Sequence, residues 1–194
     1  SYVDNDQLAG QVGLVLRRGR IAYARANGMQ DIAAGIPMST DTMFRIASQT
    51  KAIVSTGIMI LHERGALDIS HPLERYIPEW EDMQVAVSND DGGYSLEPSR
   101  RSITLRNLLT HTGGMSYGSG PAADKWEEAG FQGWDFADRN EPVAGTIARM
   151  ASLPLDEHPG ERWIYGYNTD ILGAVIEKAS GMDLNRFLRQ EIFE

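Results

Sequence analysis

Ser48-Gln49-Thr50-Lys51 places a hydroxyl three residues ahead of an amine. On a helix, residues three apart share a face, so the amine reaches the hydroxyl without long-range folding. A serine hydroxyl is a weak nucleophile until a neighbouring base takes its proton, and this spacing supplies one. Phe44-Arg45-Ile46-Ala47 leads directly into the serine, which puts Ser48 at a helix N-terminus. There the unpaired backbone N–H groups and the helix dipole favour a developing anion, and the Ser48 amide is a candidate oxyanion donor. Lys51 is flanked by Ala52 and Ile53, so partial desolvation is expected to lower its pKa and free the amine as a base. A second proton carrier must return the proton to a leaving group. Tyr165 is the candidate, since a tyrosinate near a lysine ammonium is electrostatically favourable. Tyr117, and the aromatics Trp126, Phe131, Trp134 and Phe136, are candidates to line a pocket for an apolar acyl or alcohol group.

Elements must position these groups. Residues 11–16 and 21–24 read as strands, and Arg17-Arg18-Gly19-Arg20 suits a hairpin turn between them. A polar segment containing Gly and Pro follows from 27 to 42. Residues 48–64 read as a helix with a broad apolar face (Ile53, Val54, Gly57, Ile58, Ile60, Leu61), stopped by Gly65. Residues 88–101 read as a polar loop. Thr104 caps a short helix through Leu105, Leu108 and Leu109 that ends at Gly113-Gly114. Residues 113–141 form a long connection rich in Gly and aromatics, a composition that often marks function. Helices are expected over 142–152 and 169–180, the second stopped by Gly181, and from Asp183 to the chain end. Between them, Arg162-Trp163-Ile164-Tyr165 reads as a short strand that ends on the candidate tyrosine.

Composition limits the alternatives. With 194 residues, 42% of them hydrophobic and 23% charged, the chain can build a sizeable core. No apolar run reaches the roughly 18 residues needed to span a bilayer. The formal net charge of −9 argues against a nucleic-acid binder, which needs a basic face. The absence of cysteine excludes disulfides, thiolate metal sites and a cysteine nucleophile.

Two other patterns compete for the nucleophile. Gly114-Met115-Ser116-Tyr117-Gly118 fits the G-x-S-x-G elbow, but that motif requires a strand before it and a helix after it. Here a helix precedes it and a loop follows. His62, His71, His111 and His158 invite a Ser–His–Asp triad, yet none has metal-ligand spacing, and His111 reads as structural.

Three segments together resemble the serine β-lactamase-like family, which includes class C β-lactamases, DD-peptidases and family VIII carboxylesterases. Residues 44–51, ending in Ser48-Gln49-Thr50-Lys51, look like its nucleophile motif. Leu108-Leu109-Thr110-His111-Thr112-Gly113-Gly114 resembles its second landmark, and Tyr165-Gly166-Tyr167-Asn168-Thr169-Asp170 resembles its tyrosine motif in the esterase-like branch. The resemblance implies an α/β fold with an antiparallel sheet flanked by helices and a helical subdomain. Residues 1–70 would hold the nucleophile helix and part of the α/β domain. Residues 71–165 would form the mainly helical subdomain, and 166–194 the helices returning to the α/β domain. It implies Ser48 as the acylated nucleophile, Lys51 as base, and Tyr165 as base and acid partner, with no cofactor and no metal.

Two departures qualify that picture. The position two after the tyrosine, an asparagine that binds the substrate amide in β-lactamases, is Tyr167 here, and the asparagine comes one place later at Asn168. This favours small carboxylic esters as substrates, with Tyr117, Tyr167 and Trp126 as substrate-binding candidates. The alternatives are β-lactam or D-alanyl peptide hydrolysis, and a non-catalytic acyl-binding or sensor module. No segment after Tyr165 matches the family's third motif, so the resemblance implies an N-terminal half, completed by a second polypeptide that supplies the C-terminal half.

Overall fold

The computed structural model describes residues 2–133 and 140–194. Trp134 and Phe136, read above as pocket aromatics, lie outside the described residues. The chain divides into two compact units, residues 1–47 and 48–194. The nucleophile helix therefore groups with the residues that follow it.

The first unit is an antiparallel sheet of β1 (Gly10–Arg17), β2 (Arg20–Asp31) and β3 (Ile36–Pro37), in that order. The hairpin turn falls where the sequence puts it. Arg18 and Gly19 both take positive φ, 50° and 72°, the backbone of a two-residue turn that matches strand twist. β2 runs on to Asp31 and pairs with β3, so the polar segment from 27 to 42 is partly strand. Among residues 2–47 none is buried, and Leu14, Leu16, Ile21 and Tyr23 are exposed.

The second unit carries the core. α1 (Thr50–Glu63) buries Val54, Gly57, Ile58 and Leu61, the i, i+3, i+4, i+7 stripe of an amphipathic helix. It packs against α5 (Asn168–Ser180), whose residues Ile171–Ile176 are all buried. Gly181, in the left-handed region at φ 70°, closes α5 as expected. α2 (Leu105–Leu109) starts in a capping box in which Thr104 accepts from the Asn107 amide and Asn107 reaches back to the Thr104 amide. α3 (Ala123–Glu128), α4 (Val143–Met150) and α6 (Leu184–Leu188) complete the helices around this core, and α6 passes into a wider turn over Arg189–Phe193.

Residues 88–101 are not simply a loop. β4 (Gln84–Ser88) and β5 (Tyr94–Pro98) form a hairpin. β5 carries little apolar burial, so its sequence reads as polar; its strand character comes from backbone pairing to β4. β4 also receives the segment at Leu155, through Ala86 N to Leu155 O at 2.8 Å and Leu155 N to Gln84 O at 2.8 Å. The short strand expected at 162–165 is absent; Trp163, Ile164 and Tyr165 follow an irregular path, held by Ile164 N donating to His111 O at 2.8 Å.

Candidate active site

Ser48 sits in a single 3-10 turn, Ala47–Gln49, that leads into α1 with Gln49 already helical at φ −63°. Ala47 adopts φ 45°. That left-handed conformation costs a non-glycine residue about 1–2 kcal/mol, so local strain is concentrated beside Ser48. Ser48 is exposed.

Lys51 lies one turn further on and faces the same side. Its Nζ is 3.4 Å from Ser48 Oγ, a long contact, and 3.0 Å from the Tyr117 hydroxyl, a good one. Tyr165, 117 residues beyond Ser48, donates its hydroxyl to Ser48 Oγ at 2.7 Å. The Lys51 ammonium stands 4.8 Å from the Tyr165 ring centroid and 5.7 Å from that of Tyr117. Ser48, Lys51, Tyr165 and Tyr117 thus meet in one cluster.

The charges differ from the sequence expectation in one respect. Burial does disfavour the Lys51 ammonium, but hydrogen bonds and charge interactions with Tyr117 and Tyr165 outweigh it and hold Lys51 above its ordinary value. Lys51 is therefore a standing positive charge rather than a free amine. Tyr165 moves the other way. Its hydrogen bond with Ser48, then that with Lys51, pulls its phenol below the usual tyrosine range. Tyr117 is pushed up, chiefly by burial, and stays a neutral phenol. Of the two tyrosines, Tyr165 is the one prepared to lose a proton.

The loops that carry these rings are clamped. Gly114 O accepts from Asp156 N at 2.7 Å, and Asp156 Oδ2 accepts from Ser116 N at 2.6 Å, directly before Tyr117. Burial raises the Asp156 carboxyl against these bonds. Ser116, the serine of the G-x-S-x-G pattern, is buried and its Oγ accepts from Ser119 N at 2.9 Å; it is part of the loop's frame. Gly166 follows Tyr165 because any Cβ there would collide with the backbone of Met115 and Ser116. Asn168 is fully buried and its Nδ2 reaches His111 Nδ1 (3.2 Å), Met115 O (3.4 Å) and Ile164 O (3.3 Å), tying all three segments together. It is a brace, not a surface that meets substrate.

Tyr167 and Trp126, the other two substrate-binding candidates, are each 1% exposed. Their rings stack at 5.9 Å and 9°, while Tyr167 meets Tyr117 edge-on at 4.8 Å. Tyr167 donates to Gly133 O at 3.1 Å and Trp126 Nε1 to Pro154 O at 3.1 Å. Both lie behind Tyr117, where a substrate would touch them only by displacing the core. Tyr117 reaches the cluster, but as the partner of Lys51.

Two further groups stand at the site: His111, which the sequence reads as structural, and Trp163, to which it gives no role. His111 packs its ring 4.8 Å from that of Tyr165, with burial, then the Lys51 charge, holding it below its ordinary pKa and so neutral. Trp163 stacks on Tyr165 at 5.9 Å and 23°. The available signal was its spacing, since residues two apart in an extended segment share a side. His62, His71 and His158 bond elsewhere, to Leu67 O, Tyr76 and Glu97. Among the described residues no group of three or more His, Asp or Glu is arranged to hold a metal ion, and no helix is long and apolar enough to cross a membrane.

Comparison with known proteins adds context. Residues 1–194 match the family model described as Beta-lactamase. Esterase EstB of Burkholderia gladioli is 38% identical over 182 residues, covering 92% of this chain and 43% of the relative. Monacolin J acid methylbutanoyltransferase of Aspergillus terreus is 33% identical over 181 residues, covering 90% and 42%. Among solved structures, EstCE1, "a hydrolase with promiscuous acyltransferase activity", aligns with a TM-score of 0.80 at 27% identity over 98% of this chain and 47% of that one. Unliganded simvastatin synthase from Aspergillus terreus aligns with a TM-score of 0.78 at 30% identity, covering 98% and 49%. The chain spans about half the length of the relatives it matches.

Proposed function

We propose, from the premise that this chain belongs to the Beta-lactamase family and has the serine β-lactamase-like α/β fold of its structural relatives, that it carries the nucleophilic half of an enzyme cleaving small carboxylic esters through an acyl-serine. The observation that carries this reading is the 2.7 Å bond between Tyr165 and Ser48 beside the Lys51 ammonium. Ionised Tyr165 accepts the Ser48 proton as Oγ attacks the ester carbonyl. The Ser48–acyl bond forms, the bond to the alcohol oxygen breaks, and Tyr165 passes the proton to that departing oxygen. Water then enters by the same route and gives a proton to Tyr165 as its oxygen bonds the acyl carbon; the Ser48–acyl bond breaks, Tyr165 returns the proton to Ser48 Oγ, and the acid leaves. Lys51 stabilises the phenolate throughout, and the Ser48 amide at the helix start serves the oxyanion. If an alcohol takes the place of water, the same steps transfer the acyl group, the activity for which several relatives are named.

A second reading, hydrolysis of β-lactams or D-alanyl peptides, has less support here, because Asn168 is buried as a brace and Tyr167 occupies the position two after Tyr165. We further propose that the exposed face of the sheet in residues 2–47 is covered by polypeptide outside these 194 residues. Intact mass after fluorophosphonate treatment tests the ester reading. The expected adduct lies on Ser48, and Ser48→Ala should lower p-nitrophenyl acetate turnover by more than about a thousandfold, since it removes the nucleophile and its proton transfer together. Unchanged turnover in Ser48→Ala sinks the reading, and faster cleavage of nitrocefin than of the ester favours the second one.

A further inference from the structure

Trp163 is conspicuous for where it stands. Trp80 and Trp126 are 3% and 1% exposed, in keeping with the cost of leaving a large apolar ring in water, whereas Trp163 is 67% exposed. Yet it is held in place. Its ring stacks on Tyr165 at 5.9 Å and 23° and leans on His111 at 6.1 Å and 58°, and the neighbouring Ile164 amide donates to His111 O. No hydrogen bond to its indole N–H is formed by the described residues. An aromatic face packed against Tyr165 and His111 is thus presented to solvent directly beside the proposed proton carrier.

The position of that face bears on which part of a substrate can meet it. Tyr165 must come within hydrogen-bond reach of the alcohol oxygen in order to protonate it. The carbon attached to that oxygen then stands near the Tyr165 hydroxyl, and the Trp163 ring stacked on Tyr165 is an exposed apolar surface within reach of the rest of the alcohol. The acyl group is bonded to Ser48 and does not share this constraint. We propose that Trp163 is a specificity-determining residue for the alcohol side of the ester, selecting planar aromatic alcohols, of the benzyl type, over small aliphatic ones. The inference rests on the ester-cleaving reading above. By reversibility the same surface selects the acceptor in acyl transfer: the Ser48–acyl bond breaks, a bond to the acceptor oxygen forms, and the acceptor's proton goes to Tyr165 and then to Ser48.

The test compares benzyl acetate with propyl acetate on the intact protein, two esters with the same acyl group and both with primary alcohols. Trp163→Ala should lower the benzyl-to-propyl ratio of kcat/KM by about five- to tenfold, the scale of a lost aromatic stack. Trp163→Phe should retain most of the ratio, and Trp163→Leu, which keeps apolar bulk without the flat face, should behave like Trp163→Ala. A series of propyl esters from acetate to hexanoate should keep its wild-type order in every variant. Transfer from acetyl-Ser48 to benzyl alcohol, relative to hydrolysis, should fall in step with the ratio. Equal losses for both acetates, or a changed order in the acyl series, overturns the proposal. Failure of Ser48 to take up an acyl group at all would instead overturn the ester reading itself.

Discussion

Two tryptophans in this molecule stand in opposite surroundings, and a line of rings joins their neighbourhoods. Trp126 lies inside, stacked on Tyr167, edge-on to Phe131 at 6.4 Å, with its N–H satisfied by Pro154 O. Trp163 lies outside, against Tyr165. Tyr117 bridges the two groups, edge-on to Tyr167 at 4.8 Å and to Tyr165 at 5.7 Å. The polar atoms of Trp126 and Tyr167 are bonded to backbone, and these buried rings serve the packing around the site. The outer rings leave faces exposed, the Trp163 N–H meets no hydrogen-bond partner among the described residues, and Tyr165 gives its hydroxyl to Ser48. The contrast teaches that aromatic content around a site does not by itself mark a binding pocket; what matters is whether each ring's polar atom is committed to the fold.

Substituting one ring from each group should separate the two roles. Tyr165→Phe removes the proposed proton carrier and should lower kcat by about 10²- to 10⁴-fold, the usual contribution of general acid–base catalysis, with stability nearly unchanged. Wild-type activity should rise with pH as Tyr165 ionises, beginning below the ordinary tyrosine range because its pKa is depressed. It should fall again only where Lys51, whose pKa is raised, loses its charge. The rising limb should vanish in Tyr165→Phe, and a surviving limb would assign the base elsewhere. Trp126→Ala should do the converse. It empties a large buried site and should cost about 3–5 kcal/mol in urea unfolding of the intact protein. Trp163→Ala should cost no more than about 0.5 kcal/mol in the same assay, as an exposed substitution does. Similar losses for both tryptophans would erase the distinction between inner and outer rings.

Much of the outer site was legible because its parts are local or carry strong patterns. Ser48 and Lys51 are one helical turn apart, and the apolar stripe of α1 shows the helix plainly. The Arg18-Gly19 turn and the Gly181 stop were readable because each needs a positive φ. The support was not legible, for reasons of distance and polarity. β5 reads as loop since its strand identity lies in pairing to β4 and not in burial. With β4 went the placement of Leu155, and with that the carboxylate of Asp156 under the Tyr117 loop. Tyr167 and Trp126 looked like pocket residues because sequence shows that a ring is present and not which way it faces. The direction of the Lys51 shift failed similarly. Its neighbours in sequence are apolar and argue for a lowered pKa, whereas the phenols that reverse it come from residues 66 and 114 positions away.

Tyr117 decides where the inner group ends. If it belongs to the outer group as a substrate contact, Tyr117→Phe should raise KM and leave the pH profile in place. The bond from Lys51 Nζ to its hydroxyl at 3.0 Å argues for a positioning role instead. The Tyr117 phenol is one of the groups that raise the Lys51 pKa. Without its oxygen the lysine keeps the burial that disfavours its charge and loses part of what opposes it, so the folded-state pKa of Lys51 must drop. In the proposed mechanism the ammonium is the active form, because it supports the Tyr165 phenolate. The falling alkaline limb of activity should therefore move to lower pH in Tyr117→Phe. At neutral pH the loss should be smaller than for Tyr165→Phe, about fivefold in kcat, comparable to one hydrogen bond of about 1 kcal/mol to a partly exposed group. KM should hold, since the ring itself remains against Tyr167. A pH–rate profile for p-nitrophenyl acetate checks both parts, and an unmoved alkaline limb with a raised KM would place Tyr117 among the residues that meet substrate.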